Sequence, residues 1–365
     1  MIPLFKVFMA TCAIDAVQQV FWTGYIGDGE WVKRFEKAFG EYIHNPNVIA
    51  LNSGTSALTM ALRLSGVRHG DYVVSTPMTC LATNMPILSL GARPVWADIL
   101  RDGTIDPESV KGKMNPNVRA IICMDWGGLP CLLNELKIIA DEWQVPLIHD
   151  ACQSVGGGYN EKPSIGGSPA QFVATSFQAI KYLTTGDGGA LIINDPELLE
   201  QGRLMKWFGL DRTKSAQLRC GQDPPFWGYK FQMNDITAAM GFSNLRTICW
   251  IVRKARANAQ YYNRALSECK NVQIIPYDRS RGRSGHWLYT CFVDDVDHFV
   301  NYMAENNVHA SKVHDRNDIK TIFKDSYTGN LPGVDFFDKH HVAIPVGWWV
   351  ESNDRQRIAE LCLKY

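Results

Sequence analysis

This 365-residue chain carries no net charge: its 37 basic residues are matched by 37 acidic ones. Nothing in that balance draws it toward nucleic acid or an anionic membrane face. No two of its ten cysteines stand as C-x-x-C, which excludes a zinc knuckle and suggests no disulfide framework. The scatter of Cys12, Cys80, Cys123, Cys131, Cys152, Cys220, Cys249, Cys269, Cys291 and Cys362 fits a reducing cytoplasm. No uninterrupted apolar run reaches the roughly 18 residues that span a bilayer. The opening "MIPLFKVFMA" has no signal-peptide pattern, so neither a membrane span nor targeting is expected. Internal repeats and low-complexity tracts are absent as well.

What is present is apolar sequence, 46% of the chain, enough for a large buried core. Single cores stop growing at roughly 250–300 residues, so two domains are expected, a large one over 1–245 and a smaller one over 246–365. In "GDGEWVKRFEKAFGEYI", Trp31, Phe35, Phe39 and Ile43 recur every fourth residue, which predicts one apolar helix face. "VIAL", "DYVVSTPMTC", "RPVWADIL", "RAIICMDW", "VPLIHDAC", "FVATSF" and "GALIIND" read as short strands, spaced by helix-length segments such as "LLNELKIIADEWQ". That alternation predicts an α/β fold of parallel strands with helical crossovers, whose ligands sit beyond the carboxyl ends of the strands. Residues 235–269 read as helical. Beyond them "NVQIIPYD", "HWLYTCFVDD" and "HVAIPV" suggest strands mixed with helices, an α+β unit.

Candidate site residues collect at the strand ends. Asp150 closes "VPLIHD" and Gln153 follows it. Ser176 closes "FVATS", and Lys181 comes five residues later between Ile180 and Tyr182. Desolvation disfavours an ammonium, so a lysine in this apolar surround tends toward the neutral, nucleophilic amine. Such an amine forms Schiff bases with carbonyl compounds, pyridoxal phosphate among them, and that cofactor needs a carboxylate for its ring nitrogen and a cradle for its phosphate. Asp150 can supply the carboxylate. Ser53, Gly54, Thr55, Ser56 and Ser176 can supply the cradle, through hydroxyls and helix N-terminal amides.

"NSGTSAL", "LIHDACQSVGG" and "SFQAIKYLTTGDGG", with "TGYIGDGEWVKRFE" before them and "GYKFQMNDITAAMG" after, resemble the DegT/DnrJ/EryC1/StrS family of sugar aminotransferases, pyridoxal-phosphate enzymes of fold type I. The resemblance implies a large domain with a mostly parallel, seven-stranded type of sheet sandwiched by helices. It implies that Lys181 carries the cofactor, Asp150 pairs with the ring nitrogen, Gln153 faces the 3-hydroxyl, and Ser176 with the Thr55–Ser56 turn binds the phosphate. It further implies glutamate as donor, a nucleotide-linked keto-deoxyhexose as acceptor, and a homodimer with shared active sites. "FQMNDI" is closer to the pattern associated with amination at C4, a 4-keto-6-deoxyhexose.

Three positions depart from the family pattern: Gln178, Cys80 where a ring-stacking aromatic is usual, and Lys230 where an asparagine from the neighbouring subunit meets the phosphate. Lys230 could meet a phosphate as a point charge or recognise the sugar nucleotide. Lys181 argues against the dehydratase branch, which has histidine there. A lyase or dehydratase on the same scaffold and a non-catalytic cofactor-binding homologue stand as alternatives. Gly186, Gly188 and Gly189 read as positive-φ turn residues, "WGGLP" (126–130) as a turn beside the site, and His314 in "KVHDRND" as a substrate contact. His340 and His341 have no second ligand set, so no metal is expected. Trp348 and Trp349 read as packing or interface residues, with aromatic faces that could also hold a nucleotide base.

Overall fold

The computed structural model describes residues 1–159, 162–214, 221–276, 278–326 and 329–365. Each apolar run named above becomes a strand: β1 Val48–Leu51, β2 Tyr72–Ser75, β3 Arg93–Trp96, β4 Val118–Met124, β5 Leu147–Asp150, β8 Phe172–Ser176 and β9 Gly189–Ile193. The short pair β6 Gly158–Tyr159 and β7 Lys162–Pro163 forms a separate ribbon. The seven strands form one sheet in the order β1-β9-β8-β5-β4-β2-β3.

Pairings from β3 through β8 are parallel, as expected, but β9 is antiparallel to both β8 and β1. The reason is the connection. A parallel return needs a crossover of a dozen or more residues, usually a helix, whereas "FQAIKYLTTGDG" after β8 forms no helix and leads the chain back along its neighbour. The exception leaves β1, β2, β3, β4, β5 and β8 pointing the same way, so their carboxyl ends share one edge.

Successive side chains along a strand face opposite sides. Ile49, Val73, Ile122, Ile148, Ala174 and Leu191 pack against the Gly54–Leu64 helix on one side, while Ala50, Val74, Ile121, Leu147, Val173 and Ile192 join Phe35, Phe39 and Leu136 on the other. Phe35, Phe39 and Ile43 are fully buried. Trp31 is half-buried, its ring edge-on to Phe242.

The C-terminal part is α+β, as its patterns suggest. β10 Gln273–Ile274, β11 Tyr289–Phe292 and β12 His341–Ile344 form an antiparallel sheet. The helices Ile248–Ala265, Val296–Glu305 and Ser352–Lys364 cover it through Tyr262, Phe299 and Ile358. His340 and His341 end the Pro332–His340 helix and begin β12. Their Nδ1 atoms lie 3.0 Å from Val293 O and 2.7 Å from Phe337 O, a structural use. Trp349 donates to Pro3 O and Trp348 packs on Phe8 and Trp250. Among the described residues no cluster could hold a metal ion, and no helix is long and apolar enough to cross a membrane. Cys220 lies outside the described residues; the other nine cysteines are free thiols.

Beneath the sheet edge lies a buried charged pair. His149 Nε2 is 3.0 Å from Asp125 Oδ2, and both side chains are fully excluded from water. Asp125 also accepts from Cys131 N and from the Ser154 hydroxyl. Burial pulls the imidazole down, but the Asp125 charge and hydrogen bond prevail and lift His149 from 6.5 to about 9, while Asp125 is held below 3.8. A folded-state pKa raised above the unfolded value stabilises most below the unfolded pKa, and that stabilisation is lost as pH rises through the folded one. Urea unfolding of the wild type should therefore lose roughly 2–3 kcal/mol between pH 6 and pH 9.5 from this source. His149→Gln should lack that portion of the pH dependence, and equal pH slopes in the two proteins would remove the pair from the account.

Candidate active site

At the shared carboxyl edge the strand ends diverge around a cavity of about 490 Å³, within the usual range for small-molecule and cofactor sites. Ser53, Gly54, Thr55, Cys80, Asp150, Gln153, Ser176, Lys181 and His314, all singled out in the sequence, line it together. Two do not. Ser56 is buried, its hydroxyl donating to Asn52 Oδ1 and meeting Ser53 Oγ, so it braces the turn from beneath. Lys230 is exposed, its Nζ lying 4.6 Å from the centre of the Trp207 ring.

The phosphate-sized end begins at Ser53, which caps the Gly54–Leu64 helix by accepting from Ser56 N at 3.0 Å. A helix start presents amides without intrahelical partners and a partial positive charge. Backbones crowd this turn closely. A Cβ on Gly54 would fall 2.9 Å from Ser176 Cβ and 3.0 Å from Cys152 Sγ, and one on Gly189 would fall 2.4 Å from Ser53 C. Gly186 has the expected positive φ of 82°. Gly188 and Gly189 do not; they are needed instead for close approach, because a Cβ at Gly188 would strike Thr185 Oγ1 at 2.2 Å.

Asp150 stands in the middle, 2% exposed. Its Oδ2 accepts from Thr83 Oγ1 at 2.7 Å and its Oδ1 from Cys152 N at 3.1 Å. Thr83 in turn lies 2.8 Å from Thr79 Oγ1. Gln153 is oriented without ambiguity, because Gly127 N can only donate and so must meet Oε1, as it does at 2.7 Å. Its Nε2 therefore faces His314 Nε2 at 3.2 Å, and the imidazole nitrogen accepts. Burial first and the Lys181 charge second push His314 down to about 3, which agrees with an unprotonated ring.

Lys181 follows a loop pinned at several points. Phe177 is fully buried with its ring edge-on to Phe35 and Phe39, and its amide and carbonyl meet Gly188 O and Thr185 N. Gln178 folds back to accept from Ile180 N, which caps the turn into Lys181. Burial lowers the Lys181 pKa, opposed by the neighbouring Cys152, Cys80 and Asp150. The Nζ lies 3.5 Å from the centre of the Trp287 ring.

The model of one protein family matches residues 9–362. The chain belongs to the DegT/DnrJ/EryC1/StrS aminotransferase family. Members of this family are enzymes. The chain is 30% identical over 77% of its length, and 73% of the relative's, to the spore coat polysaccharide biosynthesis protein SpsC of Bacillus subtilis. It is 29% identical, over 73% of this chain and 71% of the other, to a UDP-4-amino-4,6-dideoxy-N-acetyl-beta-L-altrosamine transaminase of Campylobacter jejuni. The crystal structure of the sugar aminotransferase CalS13 of Micromonospora echinospora superimposes with a TM-score of 0.94, covering 100% of both chains at 32% identity.

For an aminotransferase of this family the donor set fits pyridoxal phosphate: a buried carboxylate, a helix N-terminus narrowed by glycine, and a desolvated amine opening on one cavity. Cys152, just after Asp150 at the strand end, lines that cavity too, and so do Thr83, Phe5 and Trp287, to which no sequence pattern points. A threonine inside "LATN" carries no local signal, and Trp287 is 107 residues from Ile180, to whose carbonyl it donates. Substituting Gly54→Ala should force Ser176 and Cys152 apart, lowering stability by roughly 1–3 kcal/mol. Pyridoxal phosphate affinity, measured by fluorescence titration, should fall at least about tenfold, roughly 1.4 kcal/mol; unchanged affinity would place the phosphate elsewhere.

Proposed function

We propose that this enzyme transfers an amino group from glutamate to a nucleotide-linked keto-deoxyhexose, a 4-keto-6-deoxyhexose, using pyridoxal phosphate. The observation that carries the proposal is the convergence of Lys181, Asp150 and the Ser53–Thr55 helix start on one cavity. Sugar chemistry is supported by the names of two similar proteins, one a sugar aminotransferase and one a transaminase of a nucleotide-linked 4-amino-4,6-dideoxy sugar. The second also supports amination at C4.

Pyridoxal phosphate, when bound, supplies a carbonyl for amine exchange and a ring that takes up electrons. Lys181 would hold it covalently and Asp150 would keep a proton on its ring nitrogen, with Thr83 and Cys152 N fixing the carboxylate. Gln153 has one Nε2 hydrogen left beyond its contact with His314, which suits a phenolic oxygen. Ser53, Gly54, Thr55 and Ser176 would receive the phosphate. The depressed pKa of Lys181 suits it to accept the proton from the donor's Cα and to return one to the sugar carbon that receives the amino group. His314 is a neutral imidazole whose Nε2 already accepts from Gln153, so its Nδ1–H can donate a hydrogen bond to a sugar hydroxyl.

A homodimer fits this reading. Phe21, Trp22, Tyr25 and Ile26 leave four adjacent large apolar side chains exposed, the kind of patch that marks an interaction surface. In such a dimer Lys230 would meet a phosphate bound by the other subunit.

Purified protein mixed with pyridoxal phosphate should show a visible absorption band that excess glutamate converts to a near-ultraviolet one, and Lys181→Ala should show neither change. A protein that stays colourless would point to a binding homologue, and ammonia release without donor consumption to a lyase. Asp150→Ala should retain part of the cofactor yet lose roughly a hundredfold or more in kcat, and normal turnover in that variant would rule out its assigned role.

A further inference from the structure

Trp287 has no part in the chemistry assigned above, yet it stands closer to the Lys181 amine than the usual cation–π limit of about 6 Å requires. The Nζ is 3.5 Å from the centre of its ring. The indole is 4% exposed, and its other neighbour is Phe5, stacked with centroids 5.1 Å apart and planes 24° from parallel. Two crossed hydrogen bonds lock the ring to the lysine loop. Trp287 Nε1 donates to Ile180 O at 3.1 Å, and the Tyr182 hydroxyl donates to His286 O at 2.5 Å, so the residues flanking Lys181 are tied to Trp287 and to the residue before it. His286 adopts a left-handed φ of 50°, uncommon outside glycine. Gly285 N and Leu288 N donate to Gly128 O and Gly127 O, the turn that also orients Gln153.

We propose that Trp287 is a positioning residue for Lys181, its indole face holding the lysine ammonium in place whenever that amine is not bonded to carbon, with Phe5 clamping the ring from the N-terminal segment. A free lysine has four rotatable bonds in its side chain. Without a station it would sample the cavity between successive proton transfers. The ring face attracts only the charged form, and so it opposes the burial that favours the neutral amine. Other groups act on the same amine: Asp150 and Cys152 from the end of β5, Cys80 from the start of the Leu81–Ser89 helix, and His314 from the 311–318 segment. Asp187, His309 and Lys312 line the cavity as well. None of these is removed by substituting Trp287, so a shift on substitution reports the ring.

The inference rests on the reading of Lys181 as the reactive amine, but its test does not require turnover. The full-length chain, stripped of cofactor, is reductively methylated with formaldehyde and cyanoborohydride across a pH series, and the modification of Lys181 is quantified by peptide mass. Trp287→Leu keeps apolar volume and loses the ring face. Trp287→Phe keeps a smaller aromatic face and loses the indole N–H with the pyrrole ring that carries it. In Trp287→Leu the midpoint for Lys181 should fall by about one pH unit, while Trp287→Phe should stay within about a third of a unit of the wild type. A Trp287→Leu midpoint equal to the wild type overturns the proposal. So does an equal shift in both variants, which would assign the effect to the bond with Ile180. Thermal melts identify a variant that has not folded, in which case Phe5→Leu, which removes the clamp and leaves Trp287 in place, must lower the midpoint for the proposal to stand. Failure of the functional reading looks different: a wild type whose Lys181 methylates normally but never joins pyridoxal phosphate under borohydride.

Discussion

An ammonium taken out of water is costly unless other groups compensate for it, and at Lys181 the compensation comes from widely separated stretches of chain. Asp150 and Cys152 approach from the end of β5, Cys80 from a helix start, and Trp287 from the C-terminal part. None of these is near Lys181 in sequence. The amine can keep its intermediate character, half drawn to charge and half deprived of solvent, only if both parts of the molecule are packed together. That requirement accounts for the density of contacts where residues 284–288 meet the 126–128 turn.

The same economy of placement governs the polar groups around the cavity. Ser75, Asn84 and Asn317 form a buried chain of side-chain hydrogen bonds, and Asn317 also donates to Thr79 O. Thr79 contacts Thr83, which donates to Asp150. The segment that carries His314 is thus tied to the carboxylate through buried partners, and buried polar groups in satisfied networks hold a single arrangement. On the far side of the sheet edge the Asp125–His149 pair is joined by Ser154 and Ser168, close to Gln153 in the chain. Position within the cavity is therefore set from beneath as well as from the walls.

Where the reading of the residues and the structure part, a physical cause is visible. β9 runs against its neighbours because the lysine loop contains no crossover helix. Ser56 supports rather than lines the cavity because its hydroxyl is already engaged with Asn52 and Ser53. Gly188 and Gly189 are small for the sake of neighbouring backbone and side chains, a demand that a turn-based reading of glycine cannot see. Lys230 stands outside its own chain's cavity, on the Trp207 ring.

Local pattern determined the elements. Apolar runs of strand length, the four-residue spacing of Phe35, Phe39 and Ile43, and the small-residue junction at Ser53–Thr55 are properties of adjacent residues, and short-range geometry translates them directly into strands, a helix face and a helix start. Alternation of those elements then placed Asp150, Gln153, Ser176 and Lys181 at one edge, because strands joined by crossover helices end together. Thr83, Phe5 and Trp287 were beyond reach of any such pattern. A threonine's hydroxyl, an N-terminal phenylalanine and a tryptophan in "GHWLY" acquire meaning only from what faces them. What faces them is decided by how the two layers and the C-terminal sheet close over the cavity, and packing between segments a hundred residues apart leaves no periodic trace in the chain.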